Sequence, residues 1–144
     1  MQVHQILRSK GDYEVVTIKP DATVSEASQI LSSRRIGALV VSPDGKRVSG
    51  ILSERDVVRE LGRSGSGCLS GKVSAYMTGK ISTCRNEDSV DEIMHKMTDG
   101  RFRHMPVMED GAMIGLISIG DVVKARLSEL SMEKEALEGM IKGF

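Results

Sequence analysis

The sequence is poor in the features that mark several large protein classes. It has no tryptophan, and its aromatics are two tyrosines and two phenylalanines. That is too few for the stacking platforms on which single-stranded nucleic acids usually lie. The two cysteines, Cys68 and Cys84, form no C-x-x-C pair. They build no disulfide framework, which suits a reducing compartment. His4, His95 and His104 are scattered without ligand spacing, so no metal is expected. Lys plus Arg is 20 and Asp plus Glu is 20. This balance gives no global pull toward nucleic acid or an anionic membrane. The longest apolar run, Ile36 to Val41, is far too short to span a bilayer. The first eight residues lack an apolar signal region, so a soluble, cytoplasmic protein is expected. No nucleophile sits with a base and a third orienting group, and no G-x-S-x-G or H-E-x-x-H occurs. The Gly65 to Lys72 stretch evokes a phosphate loop, but five residues separate Gly65 from Gly71 and Val73 replaces the metal-binding hydroxyl. Catalysis is not expected.

What is present is a duplication. The 144 residues are 40% hydrophobic and 28% charged, a globular composition long enough to bury a core. Thr23-Val24-Ser25-Glu26-Ala27 aligns with Ser89-Val90-Asp91-Glu92-Ile93 at an offset of 66. Both read as amphipathic helices opened by a hydroxyl with an acid three residues on, the capping-box pattern. The same offset carries Leu39-Val40-Val41 onto Met105-Pro106-Val107 and Asp44-Gly45 onto Asp110-Gly111. After the loss of one residue, Gly50-Ile51-Leu52-Ser53-Glu54-Arg55-Asp56-Val57-Val58 aligns with Gly115-Leu116-Ile117-Ser118-Ile119-Gly120-Asp121-Val122-Val123. The pattern Gly-apolar-apolar-Ser-x-x-Asp-Val-Val thus occurs twice.

Each copy predicts strand, helix, strand, turn, strand, helix. The strands fall at Val15–Ile18, Ala38–Val41 and Gly50–Leu52, then at Ile81–Thr83, His104–Met108 and Ile114–Ile117. The helices fall at about 23–34 and 89–99, then after the N-caps Ser53 and Ser118. The expected division is residues 8–62, a Gly/Ser-rich flexible linker at 63–75, residues 76–128, and a helical tail at 129–144. Cys68 falls in the linker, open to oxidation, and Cys84 falls in a buried strand. A first helix is expected from Val3, Ile6 and Leu7, ending at Gly11. In the tail, Leu127, Leu130, Leu137 and Ile141 share a face.

The duplicated β-α-β-β-α unit resembles a tandem pair of CBS domains (named for cystathionine β-synthase), a Bateman module. Arg103-His104-Met105-Pro106-Val107 and Tyr76-Met77-Thr78 add to the likeness, which covers about residues 8–126. The resemblance implies an α+β fold of two repeats packed about a pseudo-twofold axis, assembled as a homodimer. It implies adenine-nucleotide binding in clefts between the repeats: AMP first, with NAD(H) or ATP/ADP next. Asp56 and Asp121 would accept the ribose hydroxyls. Ser53 and Ser118 would face phosphate at helix N-termini, and Arg103 and His104 would reach phosphate oxygens. Val16, Thr17 and Ser82 would offer strand-edge backbone to the adenine. Gly37, Ala38, Glu54, Arg55, Met105, Pro106, Ile119 and Gly120 complete the candidate set. S-adenosylmethionine is a related candidate, disfavoured by Arg55 and Arg103 beside a cationic sulfonium.

On the residues alone, Asp56 and Asp121 also fit plain first-turn acids, Ser53 and Ser118 plain N-caps, and Arg103 a solvated charge. Lys10 reads more readily as solvated than as a phosphate ligand. The expected function is a nucleotide sensor acting on an unidentified protein in trans. The alternative is a ligand-free interaction protein that uses its C-terminal helix. Nucleic-acid binding is not expected.

Overall fold

The computed structural model describes residues 1–11 and 13–143. Helix α1 (Val3–Lys10) ends at Gly11, whose φ of 72° suits glycine. Helix α2 (Val24–Arg34) follows β1 (Thr17–Ile18) and is opened by Thr23, whose hydroxyl accepts the Glu26 N–H at 3.1 Å. Strands β2 (Ala38–Val41) and β3 (Gly50–Ser53) lead into α3 (Glu54–Ser64), capped by Ser53. The second copy has α5 (Val90–Gly100), capped by Ser89, then β4 (His104–Glu109), β5 (Ala112–Ser118) and α6 (Ile119–Ile141), capped by Ser118. The four hydroxyl caps stand where the repeat places them.

The halves are not equal. In the first, β1 runs parallel to β2 and β2 antiparallel to β3, giving three strands. In the second, β4 and β5 pair alone, and the strand expected at Ile81–Thr83 is irregular backbone. Its role shrinks to one parallel bridge, Cys84 to Val107, the counterpart of Ile18 to Val41. One residue explains this. In the first half the Val40 N–H donates to the Val16 carbonyl at 3.3 Å. The matching residue in the second half is Pro106, which has no N–H to give the Ser82 carbonyl.

Each half is completed by the helix that precedes the other. Val3 and Ile6 of α1 are buried with Ile93, Met97, Met105 and Ile117 of the second half. Val73 of α4 (Val73–Tyr76) is buried with Ile18, Val24, Leu39 and Leu52 of the first. Matching main-chain ties hold the exchange. Val3 N–H donates to Asp88 O (3.0 Å) and Val90 N–H to Met1 O (3.0 Å); Val73 N–H donates to Ala22 O (2.8 Å) and Val24 N–H to Gly71 O (2.9 Å). This is a pseudo-twofold relation between two interlocked cores.

The glycine-rich stretch is ordered, contrary to the flexible linker expected there. Residues Gly65–Ser70 form a 3-10 helix, and Cys68 is 2% exposed rather than open to oxidation. Its glycines permit a tight turn that carries an apolar side chain into the interior. Cys84 is equally buried, and burial pushes its thiol pKa up to about 12. Helix α6 passes residue 129 without a break, so the expected tail continues the second repeat's last helix. Leu127, Leu130, Leu137 and Ile141 share a face as expected, and all four are exposed.

Candidate functional site

A cleft of about 550 Å3 lies between the two halves. From the first half it takes Gly37, Ile51, the turn Ser53–Asp56 and Arg59. From the second it takes Thr78, Lys80–Ser82, Gly100–His104, Ser118 and Ile119. A larger hollow, about 850 Å3, lies at the other end of β4 against Thr83–Asp88 and Met108–Gly111, and holds none of the candidate binding residues.

The capping box that starts α3 also sets the cleft's acid. Asp56 Oδ2 accepts from the Ser53 N–H (2.9 Å) and the Ser53 hydroxyl (3.1 Å), while Oδ1 accepts from Arg59 Nη2 (2.7 Å). Asp56 is 5% exposed, so its charge is affordable only because these donors meet it. Arg59, by contrast, is 47% exposed and can turn away at small cost.

Basic residues come into the lining from both halves. Arg55 enters from the first, and Lys80, Arg101 and Arg103 from the second, and none of these is ion-paired among the described residues. His104 faces Gly37 across the halves: a Cβ at position 37 would stand 3.7 Å from His104 Cε1. Burial, aided by Lys10 and Arg103, pushes the His104 imidazole below its ordinary pKa against the pull of Asp121 and Glu54, which leaves it neutral at pH 7. A wall of free cations with an acid at its floor matches a phosphorylated sugar better than a cationic or apolar molecule.

Arg101 has a feature the sequence did not signal. It ends α5 in the left-handed region at φ 55°, as Arg35 ends α2 at φ 53°. That conformation costs a side-chain-bearing residue about 1 kcal/mol. Arg101→Gly is therefore expected to stabilise the fold slightly while weakening any phosphate-bearing ligand. Arg35→Gly, outside the cleft, is expected to stabilise without that loss. Melting and titration of both variants check the pair.

Of the residues singled out from the sequence, Gly37, Ser53, Glu54, Arg55, Asp56, Ser82, Arg103, His104, Ser118 and Ile119 line the cleft. The others lie outside it. Ala38, Met105 and Pro106 are buried in the sheets, Met105 in the second half's core and Ala38 and Pro106 on the opposite strand face, which is also covered. Val16 and Thr17 belong to the first half's sheet edge, and Gly120 and Asp121 lie beyond the lining at the start of α6. Sequence reasoning missed Arg59, Lys80, Ile81, Arg101 and Phe102. Lys80 and Ile81 were within reach of it, since they adjoin Ser82.

Asp121, the counterpart of Asp56, has a different neighbourhood. Lys10 Nζ donates to Asp121 Oδ2 at 2.7 Å and to the Leu116 carbonyl at 3.1 Å, with the Tyr13 ring 4.4 Å away. The Tyr13 hydroxyl donates to the Leu116 carbonyl (2.8 Å) and accepts its N–H (2.9 Å). Burial raises the Asp121 pKa, but hydrogen bonds from Lys10 and Ser118 outweigh it and hold the carboxyl below its ordinary value. Lys10 is thus not the solvated lysine expected.

The CBS domain family matches twice, over residues 6–63 and 73–128. A mitochondrial CBS domain-containing protein of Arabidopsis thaliana is 37% identical over 148 residues, spanning 98% of this chain and 72% of that one. A solved CBS-domain containing protein from Agrobacterium tumefaciens superposes with a TM-score of 0.82 at 44% identity, covering 88% of this chain and 99% of the other. A CBS domain protein from Pyrobaculum aerophilum, solved in complex with AMP, superposes with a TM-score of 0.77 at 26% identity, covering 92% and 99%. The interlocked repeats, the twice-used Ser-x-x-Asp cap and these likenesses agree: the chain belongs to the CBS domain family, as a tandem pair.

Proposed function

We propose that the chain is an adenine-nucleotide-binding regulatory module, with AMP the first candidate ligand and NAD(H) or ATP/ADP next, acting on a partner protein in trans. The observation that carries this is the inter-repeat cleft, where Asp56 and Arg55 of the first half share one lining with Lys80, Arg101 and Arg103 of the second. A ribose diol would take the place of Arg59 on Asp56, and the cations would receive the phosphate. Ser53 and Ser118 bring two helix starts to the same cleft, where exposed amides favour an anion. The AMP bound by the Pyrobaculum relative supports an adenosine-type ligand. The cationic wall argues against S-adenosylmethionine.

A second reading rests on the exposed apolar residues. Val58 on α3 and its repeat counterpart Val123 on α6 are 67% and 41% exposed, and the α6 stripe continues through Leu127, Leu130 and Leu137. Such a face is the kind that dimers or docking partners cover. It supports a homodimer, and it suits an interaction protein equally well.

A thermal-shift panel with AMP, ADP, ATP, NAD+, NADH, S-adenosylmethionine and GMP separates the two readings. A ligand at 100 times its Kd stabilises by about 2.7 kcal/mol, a shift on the order of 5–10 °C for a chain of this size. Shifts confined to adenine nucleotides are expected. No shift from any of them would remove the nucleotide role and leave the interaction reading, and an equal shift with GMP would remove the preference for adenine.

A further inference from the structure

The repeat supplies two equivalent carboxylates, Asp56 and Asp121, but the structure treats them differently. We infer that the Asp121 half-site is filled by the chain's own Lys10 and Tyr13, so that each chain takes one adenine nucleotide, in the Asp56 cleft. This rests on the nucleotide-binding reading above and assigns its stoichiometry and its gate.

Three observations bear on this. The first is the pair of cations on the two acids. Arg59 makes one hydrogen bond to Asp56 from the same helix and is 47% exposed. A ligand hydroxyl can displace such a pair cheaply. Lys10 is 25% exposed and holds both Asp121 and the Leu116 carbonyl. Displacing it breaks two hydrogen bonds and strips a cation from the Tyr13 ring.

The second is the neighbouring strand. In the first half, Ile51 exchanges two main-chain hydrogen bonds with Thr78, N–H to O at 3.0 Å and 2.9 Å. Leu116 is the repeat counterpart of Ile51. Its N–H and carbonyl are both met instead by a side chain, the Tyr13 hydroxyl. The Tyr13 hydroxyl thus takes at the Asp121 end the place that Thr78 backbone takes beside the open cleft, and there its ring also holds the Lys10 ammonium that pairs with Asp121. A Cβ on Gly115 would stand 3.3 Å from that hydroxyl, which shows how closely the phenol is seated.

The third is the adenine edge. The Val16 carbonyl, on the Asp121 side, is already used by the Val40 N–H. The Ser82 carbonyl, at a residue lining the open cleft, is spared that bond because Pro106 has no N–H. A carbonyl oxygen can accept two hydrogen bonds, so the difference is one of degree: the Val40 N–H takes one acceptor position of the Val16 carbonyl, and Pro106 takes none at Ser82.

Lys10 ends α1 and Tyr13 follows it closely, and α1 is packed on the second half's core. The gate is thus tied to the exchanged helix.

Calorimetric titration of AMP into the full chain tests this. One equivalent per chain is expected. Lys10→Met/Tyr13→Phe is expected to gain a second equivalent, which Asp121→Asn removes again when added to that background. Lys10→Gln alone, which keeps the phenol in place, is the variant to use if the double substitution unfolds, and it is also expected to gain binding at the second site. Two equivalents in the unaltered chain, or no gain from either gate variant, overturns the inference while leaving the functional reading intact. Absence of heat from every form with AMP, ADP, ATP, NAD+ and NADH alike overturns the functional reading itself, and the inference with it.

Discussion

Asp56→Ala is expected to lower AMP affinity by about 10- to 100-fold. A hydrogen bond to a charged acceptor contributes about 1.5–3 kcal/mol, and each 1.4 kcal/mol is a factor of ten. The carboxylate sits at the floor of the cleft and, with Arg59 displaced, has an oxygen for a ribose hydroxyl. The substitution also removes the reciprocal half of the α3 cap, where Oδ2 meets the Ser53 N–H at 2.9 Å. Some stability is therefore lost, about 1 kcal/mol for a cap. Asp56→Asn separates the two effects, because its amide oxygen can still accept from Ser53 while its charge is gone. Titration calorimetry on each variant, alongside its melting temperature without ligand, gives the comparison. Affinity unchanged in the alanine variant would remove Asp56 from the ribose role, whatever the melting temperature did.

Ile6→Ala is expected to destabilise the protein by about 2–5 kcal/mol, a large share of a small protein's usual margin. Ile6 is 3% exposed and lies beside the fully buried Val3, packed in the second half's core with Ile93, Met105 and Ile117. The cavity would open about 100 residues away in sequence from the site of substitution. The distinctive outcome is therefore where protection is lost. Amide exchange should quicken first in β4, β5 and α5, and less in β2 and β3, which belong to the other core. Uniform loss across both cores would mean that the halves unfold as one unit, and loss confined to the first half would contradict the exchange of helices.

The repeat carried much of the site into view. Ser53, Asp56 and Ser118 stand out because each occupies a fixed place in a duplicated pattern, and local rules place them well; Arg103 and His104, where the first copy has Gly37 and Ala38, stand out only through the family resemblance. Ser-x-x-Asp is a capping box whichever half it lies in, so its acid and hydroxyl must stand together at a helix start. Arg59, Arg101 and Phe102 lay outside the pattern and were silent. Arg59 reaches the cleft through its pairing with Asp56, and Arg101 through a left-handed backbone turn that arginine seldom marks. The plugging of Asp121 was equally hidden. Lys10 is 111 residues from its partner, and an isolated lysine in sequence is usually a solvated one.

By itself the sequence determined the elements, their order and their duplication, because capping, strand alternation and turn chemistry act over a few residues. It also held the cause of one asymmetry in plain sight: Pro106 stands where Val40 stands in the first copy, and a proline cannot donate. Only the tertiary structure decided which helix completes which core, whether the glycine-rich stretch was slack or folded, and which of two matching carboxylates faces an open cleft. Those outcomes depend on contacts between residues far apart in the chain. The twice-used Ser-x-x-Asp cap offers a matching carboxylate to both sites. The difference lies in what the rest of the chain, arriving from a distance, leaves room for.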